Sequence, residues 1–309
     1  MGAPRDHVPV LFEEALEALA ISPSGIYMDG TFGRGGHSGA IMQRLGGDGR
    51  LLAIDKDPEA VAHAEQVFSE DKRFSIKHGS FAMLEQLAQQ SGVAGNVNGL
   101  LLDLGVSSPQ LDDPARGFSF LRDGPLDMRM NPEQGMDAAM WLSKVNVNDL
   151  ANVLRTYGEE RYAKRIARAI VRTREIAPIK TTKQLADVIA RANPSREKHK
   201  HPATRSFQAI RIFINRELEE LQTCLEQCLE VLVNGGRLVV ISFHSLEDRM
   251  VKQFIRKNER EEGLSLSLPV SDFRQRLKRI GRAIKPSLSE LRNNPRARSA
   301  VLRIAERVS

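Results

Sequence analysis

The sequence predicts an α/β protein, a mostly parallel Rossmann-like sheet interrupted once by an all-helical insertion. Three observations predict it. Through roughly the first hundred residues, short apolar runs alternate with helical periodicity, which implies parallel strands joined by right-handed crossovers. Beyond Gln110 the alternation stops and only helical patterns follow. A strand pattern returns at Arg237-Leu238-Val239-Val240-Ile241-Ser242. The expected boundaries are 1–110 with 216–309 for the sheet domain and 111–215 for the inserted helical domain. An insertion of that length has the size of a small domain.

Each element has its own reason. Ile26-Tyr27-Met28 is a short apolar run before the glycine loop that starts at Asp29 and Gly30. A helix with Ile41, Met42 and Leu45 on one face follows and ends near Gly46-Gly47. Leu51-Leu52-Ala53-Ile54 reads as a buried second strand that stops at Asp55. Pro58 then suits the first turn of a helix, with Asp55 or Asp57 as its N-cap. Phe74-Ser75-Ile76-Lys77-His78 alternates and reads as the third strand; residues 83–90 read as a helix; Leu100-Leu101-Leu102 reads as the fourth strand. An irregular Asp/Gly/Pro-rich stretch runs to about Gln134. A helical pattern with dense arginine covers 153–173. Thr181-Thr182-Lys183-Gln184 matches a capping box ahead of another helix. Residues 195–202 read as a basic loop and 263–271 as a flexible one. Leu218, Leu221, Leu225, Leu229 and Leu232 stand at helical spacing before the fifth strand, and residues 300–305 read as the last.

Composition narrows the function. The longest apolar runs are strand-sized, far from the ~20 residues that cross a membrane. Met1-Gly2-Ala3-Pro4-Arg5-Asp6 lacks the apolar stretch of a signal peptide, and Asp6 breaks the myristoylation pattern. The expected compartment is the cytoplasm. Cys224 and Cys228 lie four apart on a helical pattern and read as buried reduced thiols, since a metal site wants more ligands than this pair. The net charge is +6, unevenly spread: residues 155–216 carry +11, residues 251–309 carry +9, and the remainder −14. Two basic regions on an acidic remainder predict a polyanionic partner such as nucleic acid. Aromatics make up only 5% of the chain, so no platform for stacking single-stranded bases is evident.

The candidate site gathers at the ends of the first four strands, where nucleoside cofactors lie across parallel sheets. Glycine permits close backbone approach to a ligand, and a helix starting after the loop aims free N–H groups at it. Asp29 at the loop's head is expected to repel a phosphate and attract an ammonium. That favours S-adenosylmethionine over a dinucleotide. Asp55 ends the second strand, where an acid accepts hydrogen bonds from ribose hydroxyls; the plain alternative is that Asp55 N-caps the helix at Pro58, a place that suits Asp57 equally well and then leaves Asp55 free. Phe81, after the third strand, is placed to pack on adenine, and Asp103 ends the fourth. His37 reads as a polar contact at a helix start, and no metal is expected. Asp103-Leu104-Gly105-Val106-Ser107-Ser108-Pro109-Gln110 resembles the Ser/Asp/Asn-Pro-Pro-aromatic signature of exocyclic-amine methyltransferases, with Gln110 at the second proline and no aromatic after it. An exocyclic amine is a poor nucleophile until acceptors on its hydrogens free the lone pair. Either Asp103 or a backbone carbonyl near Ser108-Pro109 serves, and the bland alternative is a plain Ser-Ser-Pro turn. Ser242-Phe243-His244-Ser245-Leu246-Glu247-Asp248 lacks the nucleophile elbow of a hydrolase. It reads as a substrate-side contact or a helix cap with acids in its first turn.

The whole pattern resembles the RsmH (MraW) family of bacterial 16S rRNA (cytosine-N4)-methyltransferases. The resemblance rests on His7-Val8-Pro9-Val10-Leu11, on Asp29-Gly30-Thr31-Phe32-Gly33-Arg34-Gly35-Gly36-His37-Ser38, and on the Asp103 segment continued through Leu111-Asp112. It continues through Arg116-Gly117-Phe118-Ser119-Phe120 and Asp123-Gly124-Pro125-Leu126-Asp127-Met128-Arg129-Met130. His201-Pro202-Ala203-Thr204-Arg205 with Phe207-Gln208-Ala209, the His244 segment, and Asn294-Pro295-Arg296-Ala297-Arg298-Ser299 complete it. The resemblance implies a class I methyltransferase fold whose inserted helical domain recognises substrate. It implies methyl transfer from S-adenosylmethionine to N4 of a cytidine, nucleotide 1402, in the decoding centre of 16S rRNA. That partner is the rRNA or the small ribosomal subunit, and the target base must be splayed out of its fold to react. The implied cofactor contacts are Gly35, Gly36, His37, Asp55, Phe81, Asp103 and Gln110, with Asp29 shaping the pocket from behind. Asp103 and Ser108-Pro109 are expected to hold the amine, and His244 to line the target pocket. A homo-oligomer is compatible with the sequence. Two rival readings stand beside it. One is a small-molecule methyltransferase, which leaves the basic insertion without a task. The other is an RNA-binding assembly factor with a vestigial cofactor site.

Overall fold

The computed structural model describes residues 9–194, 201–259 and 275–309. The basic loop expected from Ser195 and the flexible loop expected at 263–271 lie in or largely within the undescribed stretches. The described chain divides into two compact units, one of residues 1–105 with 218–309 and one of residues 106–217. The second unit begins ahead of the boundary expected at 111.

Among the described residues of the first unit, seven strands form one sheet: β1 Ile26–Asp29, β2 Arg50–Asp55, β3 Phe74–His78, β4 Val97–Asp103, β5 Leu232–Ser242, β6 Leu277–Arg279 and β7 Val301–Arg307. Their order across the sheet is β3-β2-β1-β4-β5-β7-β6. The first five pair in parallel, whereas β7 runs antiparallel between β5 and β6. The central strands are apolar without alternation because both faces are covered. Met28, Leu100, Leu102, Leu238 and Val240 face one core with the helices Leu84–Gln90 and Glu217–Val231. Tyr27, Leu101, Val239 and Ile241 face the other with Phe12–Leu19 and Gly36–Arg44. Cys224 and Cys228 are free thiols in the first of these cores. Burial pushes both thiols up, that of Cys228 to about 12, so they are inert as nucleophiles.

The second unit has its own core, built from the helices Ala138–Lys144, Val147–Gly158, Ala163–Ile176, Thr182–Ala192 and Thr204–Asn215. The single helical pattern expected over 153–173 is two helices. The first ends at Glu159, which takes the left-handed conformation at φ 48° and donates its N–H to the Leu154 carbonyl. The capping box at Thr181 and Gln184 is present, with Thr181 accepting from the Gln184 N–H. No described helix is long and apolar enough to cross a membrane.

Candidate functional site

The loop after β1 is built around Asp29. Its side chain is 1% exposed. One carboxylate oxygen accepts from the Thr31 N–H at 3.0 Å, and the other accepts from the Ser38 hydroxyl at 2.7 Å. Thr31 in turn accepts the Asp103 N–H on its Oγ1 at 2.6 Å. The result is a hydrogen-bonded chain, Ser38–Asp29–Thr31–Asp103, from the helix Gly36–Arg44 to the end of β4. Asp29 thus lies behind the loop and shapes it, the second of the two expectations, rather than standing at the mouth to meet an ammonium. Its acceptors are spent on holding the loop, and burial holds its pKa above the usual carboxylate range. Thr31 and Ser38 escaped the sequence reading. The Asp-Gly-Thr spacing of an Asx-turn is the signal that points to Thr31.

The glycines of the loop answer first to their own chain. Gly35 takes φ +75°, and a Cβ there would meet the Phe32 ring at 2.6 Å. A Cβ on Gly36 would lie 2.4 Å from Pro9 Cγ. The helix Gly36–Arg44 starts with no side-chain cap, which leaves its first-turn N–H groups directed out of the loop.

His37 and Asp103 come together at the edge of the sheet. His37 is 6% exposed, and its Nδ1 lies 3.7 Å from Asp103 Oδ2, beyond hydrogen-bonding distance. His37 Nε2 and Asp103 Oδ1 are both sealed from solvent with no hydrogen-bond partner, an arrangement that is costly unless a ligand satisfies it. Burial pushes His37 down to about 4. Burial, reinforced by the charges of Asp29 and Glu247, pushes Asp103 up to about 8. Of the two acids expected as N-cap of the helix at Pro58, Asp57 takes that place, accepting from the Glu59 N–H. Asp55 is nonetheless engaged: it accepts the Gly33 N–H at 2.7 Å and the Asp57 N–H at 2.8 Å. Burial pushes it up to about 6. Phe81 starts the short helical turn after β3, half-buried, with its Cβ 3.4 Å from where a Cβ on Gly30 would stand.

His244 follows β5 and is fixed by Glu247. The buried Glu247 Oε2 accepts the N–H groups of Phe243 and His244 at 2.8 and 3.2 Å, and Glu247 returns its own N–H to His244 Nδ1 at 3.4 Å. This is a capping box with histidine as the cap, and sequence reasoning did not single out Glu247 as its partner. In the second unit, Ser108 and Pro109 are not an open turn. They form the first turn of the helix Ser108–Asp112, capped by Ser107, and the Gln110 carbonyl oxygen accepts the Ser107 N–H at 2.9 Å. The Ser107 and Pro109 carbonyls accept from Leu111 and Asp113 within this turn, so these two are already used locally. Gln110 is buried.

The raised and lowered pKa values fix a dependence of stability on pH. Asp103 binds its proton more tightly folded than unfolded, so stability falls as pH rises from near 4 until the folded group has ionised near 8. Asp55 acts in the same direction, up to about 6. His37 acts oppositely, because the unfolded imidazole takes up a proton below about 6.5 and the folded ring does not until about 4. Between pH 6.5 and 8.5 Asp103 lowers stability as pH rises, and Asp29, which burial also holds above the usual carboxylate range, acts in the same direction. The Tm of the protein without cofactor is expected to fall across that window, with a slope of at most about 1.4 kcal/mol per pH unit from Asp103 alone. Asp103→Asn flattens the profile, and an unchanged slope in the variant refutes the assignment.

The strand order with its antiparallel β7 is the arrangement of the class I methyltransferase fold, whose cofactor is S-adenosylmethionine. The sequence profile of the MraW methylase family matches residues 5–308, and the chain belongs to that family. It is 60% identical over 305 residues to the ribosomal RNA small subunit methyltransferase H of Coxiella burnetii, covering 98% of this chain and 99% of that one. The protein of the same name from Thioalkalivibrio sulfidiphilus is 60% identical over 306 residues, covering 98% of each. A solved rRNA methylase from Streptococcus thermophilus aligns over 99% of this chain and 100% of that one, with TM-score 0.44 and 10% identity.

Proposed function

We propose that this chain transfers a methyl group from S-adenosylmethionine to N4 of a cytidine in 16S rRNA, nucleotide 1402 of the decoding centre. The observation that carries the chemistry is Asp103 Oδ1, a buried acceptor with no partner at the C-terminal edge of β4. An exocyclic amine needs such an acceptor on its hydrogens before its lone pair can attack. The cofactor supplies an electrophilic methyl on a sulfonium. The residues fit it: the unpartnered His37 Nε2, the uncapped helix start at Gly35 and Gly36, the acid Asp55 at the end of β2, and the half-buried Phe81 beside the loop. With its pKa near 4, His37 stays neutral and adds no charge beside a sulfonium. Asp103 orients the amine, and the chain Ser38–Asp29–Thr31 holds the Asp103 backbone in place. Glu247 holds the ring of His244 for its part in lining the target pocket. Gln110, Ser108 and Pro109 belong to a capped helix of the inserted unit, a turn formed before any ligand binds.

The inserted unit supports an RNA substrate over a small molecule, and its recognition role is part of this proposal. Helix Ala163–Ile176 exposes Lys164, Arg165, Arg168 and Arg172 on the side away from buried Ile166, Ala167 and Ile170. Mass spectrometry of 16S rRNA from a strain lacking the chain tests the reading. One N4-methyl mark is lost and returns when the chain is restored. Retention of the mark in the deletion strain refutes it. Turnover on rRNA is also expected to fall steeply with salt, as counterion release requires.

A further inference from the structure

The catalytic unit carries a concave basic surface that the methyl-transfer site does not use. It lies where the helix Ser245–Glu259 meets β6, β7 and the turn after β6, and Lys252, Arg256, Arg279, Arg282 and Arg303 line it over an isoleucine floor. Among the described residues, no carboxylate lines it. Arg303 is neutralised by Asp248, which accepts from Nε at 2.7 Å and from a terminal nitrogen at 3.0 Å. Arg279 has Glu259 at 4.0 Å. Lys252, Arg256 and Arg282 are exposed and have no acidic partner among the described residues. Lys252 and Arg256 are one helical turn apart and project from the same face. Gly281 takes φ +66° in open space, turning the chain so that Arg282 joins them from the other side.

We infer that this surface binds the phosphodiester backbone of the RNA substrate, as a second point of attachment carried by the catalytic unit itself. The inference rests on the rRNA reading above. The backbone of a helix and of a turn beside a sheet fixes where these cations start, while their exposed side chains remain free to adjust to a ligand. Guanidinium forks match phosphate oxygens bidentately. Cations on opposite sides of a shallow concavity suit successive phosphates of a strand. Phosphate contacts fix register and orientation without reading sequence, which is what a site remote from the reacting base contributes.

The test uses the full chain with Lys252, Arg256 and Arg282 all changed to alanine. The probe is a 16S rRNA fragment containing the target, beside an unrelated RNA duplex of equal length. Binding of both RNAs is expected to weaken about 10- to 100-fold at 0.15 M salt, and the slope of log K against log salt to fall by about two. S-adenosylmethionine affinity and the rate at saturating RNA stay at the unmodified level, and Arg256→Lys with Arg282→Lys, a pair that keeps the charge but loses the bidentate fork, gives an RNA affinity between those of the triple variant and the unmodified protein. Affinity and salt slope equal to those of the unmodified protein overturn the inference, as does weakened binding of an acidic protein with RNA binding intact. If the triple variant loses cofactor binding, Arg282→Ala alone, on an exposed turn, carries the test with an expected loss of about fivefold and a slope change near one. Failure of the unmodified protein to bind or methylate rRNA instead overturns the reading on which the inference rests.

Discussion

Asp103→Ala is expected to lower methyl transfer by roughly 10²–10³-fold at saturating S-adenosylmethionine and saturating RNA, the cost of losing one preorganised contact at the reacting centre. The reason lies in the geometry of a single oxygen. Asp103 Oδ1 is sealed from solvent and has no partner, while the Asp103 N–H is pinned by Thr31 Oγ1 at 2.6 Å. The backbone is therefore fixed and the side chain is free to be completed by a ligand. Alanine removes the acceptor and leaves the backbone anchor. Asp103→Asn keeps one carbonyl acceptor and is expected to lose less. Single-turnover kinetics with cofactor affinity measured in parallel separate the two contributions. Full turnover by the alanine variant removes Asp103 from the chemistry.

Asp29→Ala is expected to destabilise the sheet unit by about 2–4 kcal/mol, since it strands the Thr31 N–H and the Ser38 hydroxyl inside the protein at about 1–3 kcal/mol each. Removal of a buried carboxylate offsets part of that. A Tm drop of roughly 5–15 °C follows for a unit of this size. Cofactor affinity falls by more than about tenfold, because the loop and the start of the helix Gly36–Arg44 lose the group that joins them. Asn at this position keeps an acceptor for Thr31 and recovers part of the loss. Scanning calorimetry and cofactor titration read both effects, and a variant with unchanged Tm and affinity would show that the network holds without its centre.

The central strands were legible because they are buried on both faces. Leu100, Leu101 and Leu102 are each 0% exposed, as are Leu238, Val239, Val240 and Ile241, and unbroken apolar runs of that kind are visible without a structure. β6 was not visible. It is three residues long, two of them Lys278 and Arg279, and it exists because it pairs antiparallel with β7. The insertion of β7 between β5 and β6 is likewise a long-range pairing that no local pattern encodes. The break at Glu159 hid because apolar spacing continues on both sides and the left-handed residue is not glycine. At the site, the acids at strand ends were legible as acids, but their tasks were not. Asp29 and Asp55 were legible as acids beside a cofactor loop, but not the backbone and hydroxyl donors of their own unit that each also holds. Only distances separate an acid that holds a loop from one that waits for a ligand.

The pairing of β4 with β5 joins Gly99 to Arg237 and Asp103 to Ile241, across the whole inserted unit. During synthesis the first four strands leave the ribosome before β5 exists, and β4 then presents an unpaired edge flanked by leucines. Edges of that kind recruit other chains. The inserted unit has its own core and is made in the interval, so it becomes a folded tether across the gap before the sheet can close. A compact tether shortens the search that β5 must make, relative to a flexible loop of the same number of residues. A chain that stops short of β5, which begins at Leu232, leaves the β4 edge without its neighbour, the kind of open edge that favours aggregation.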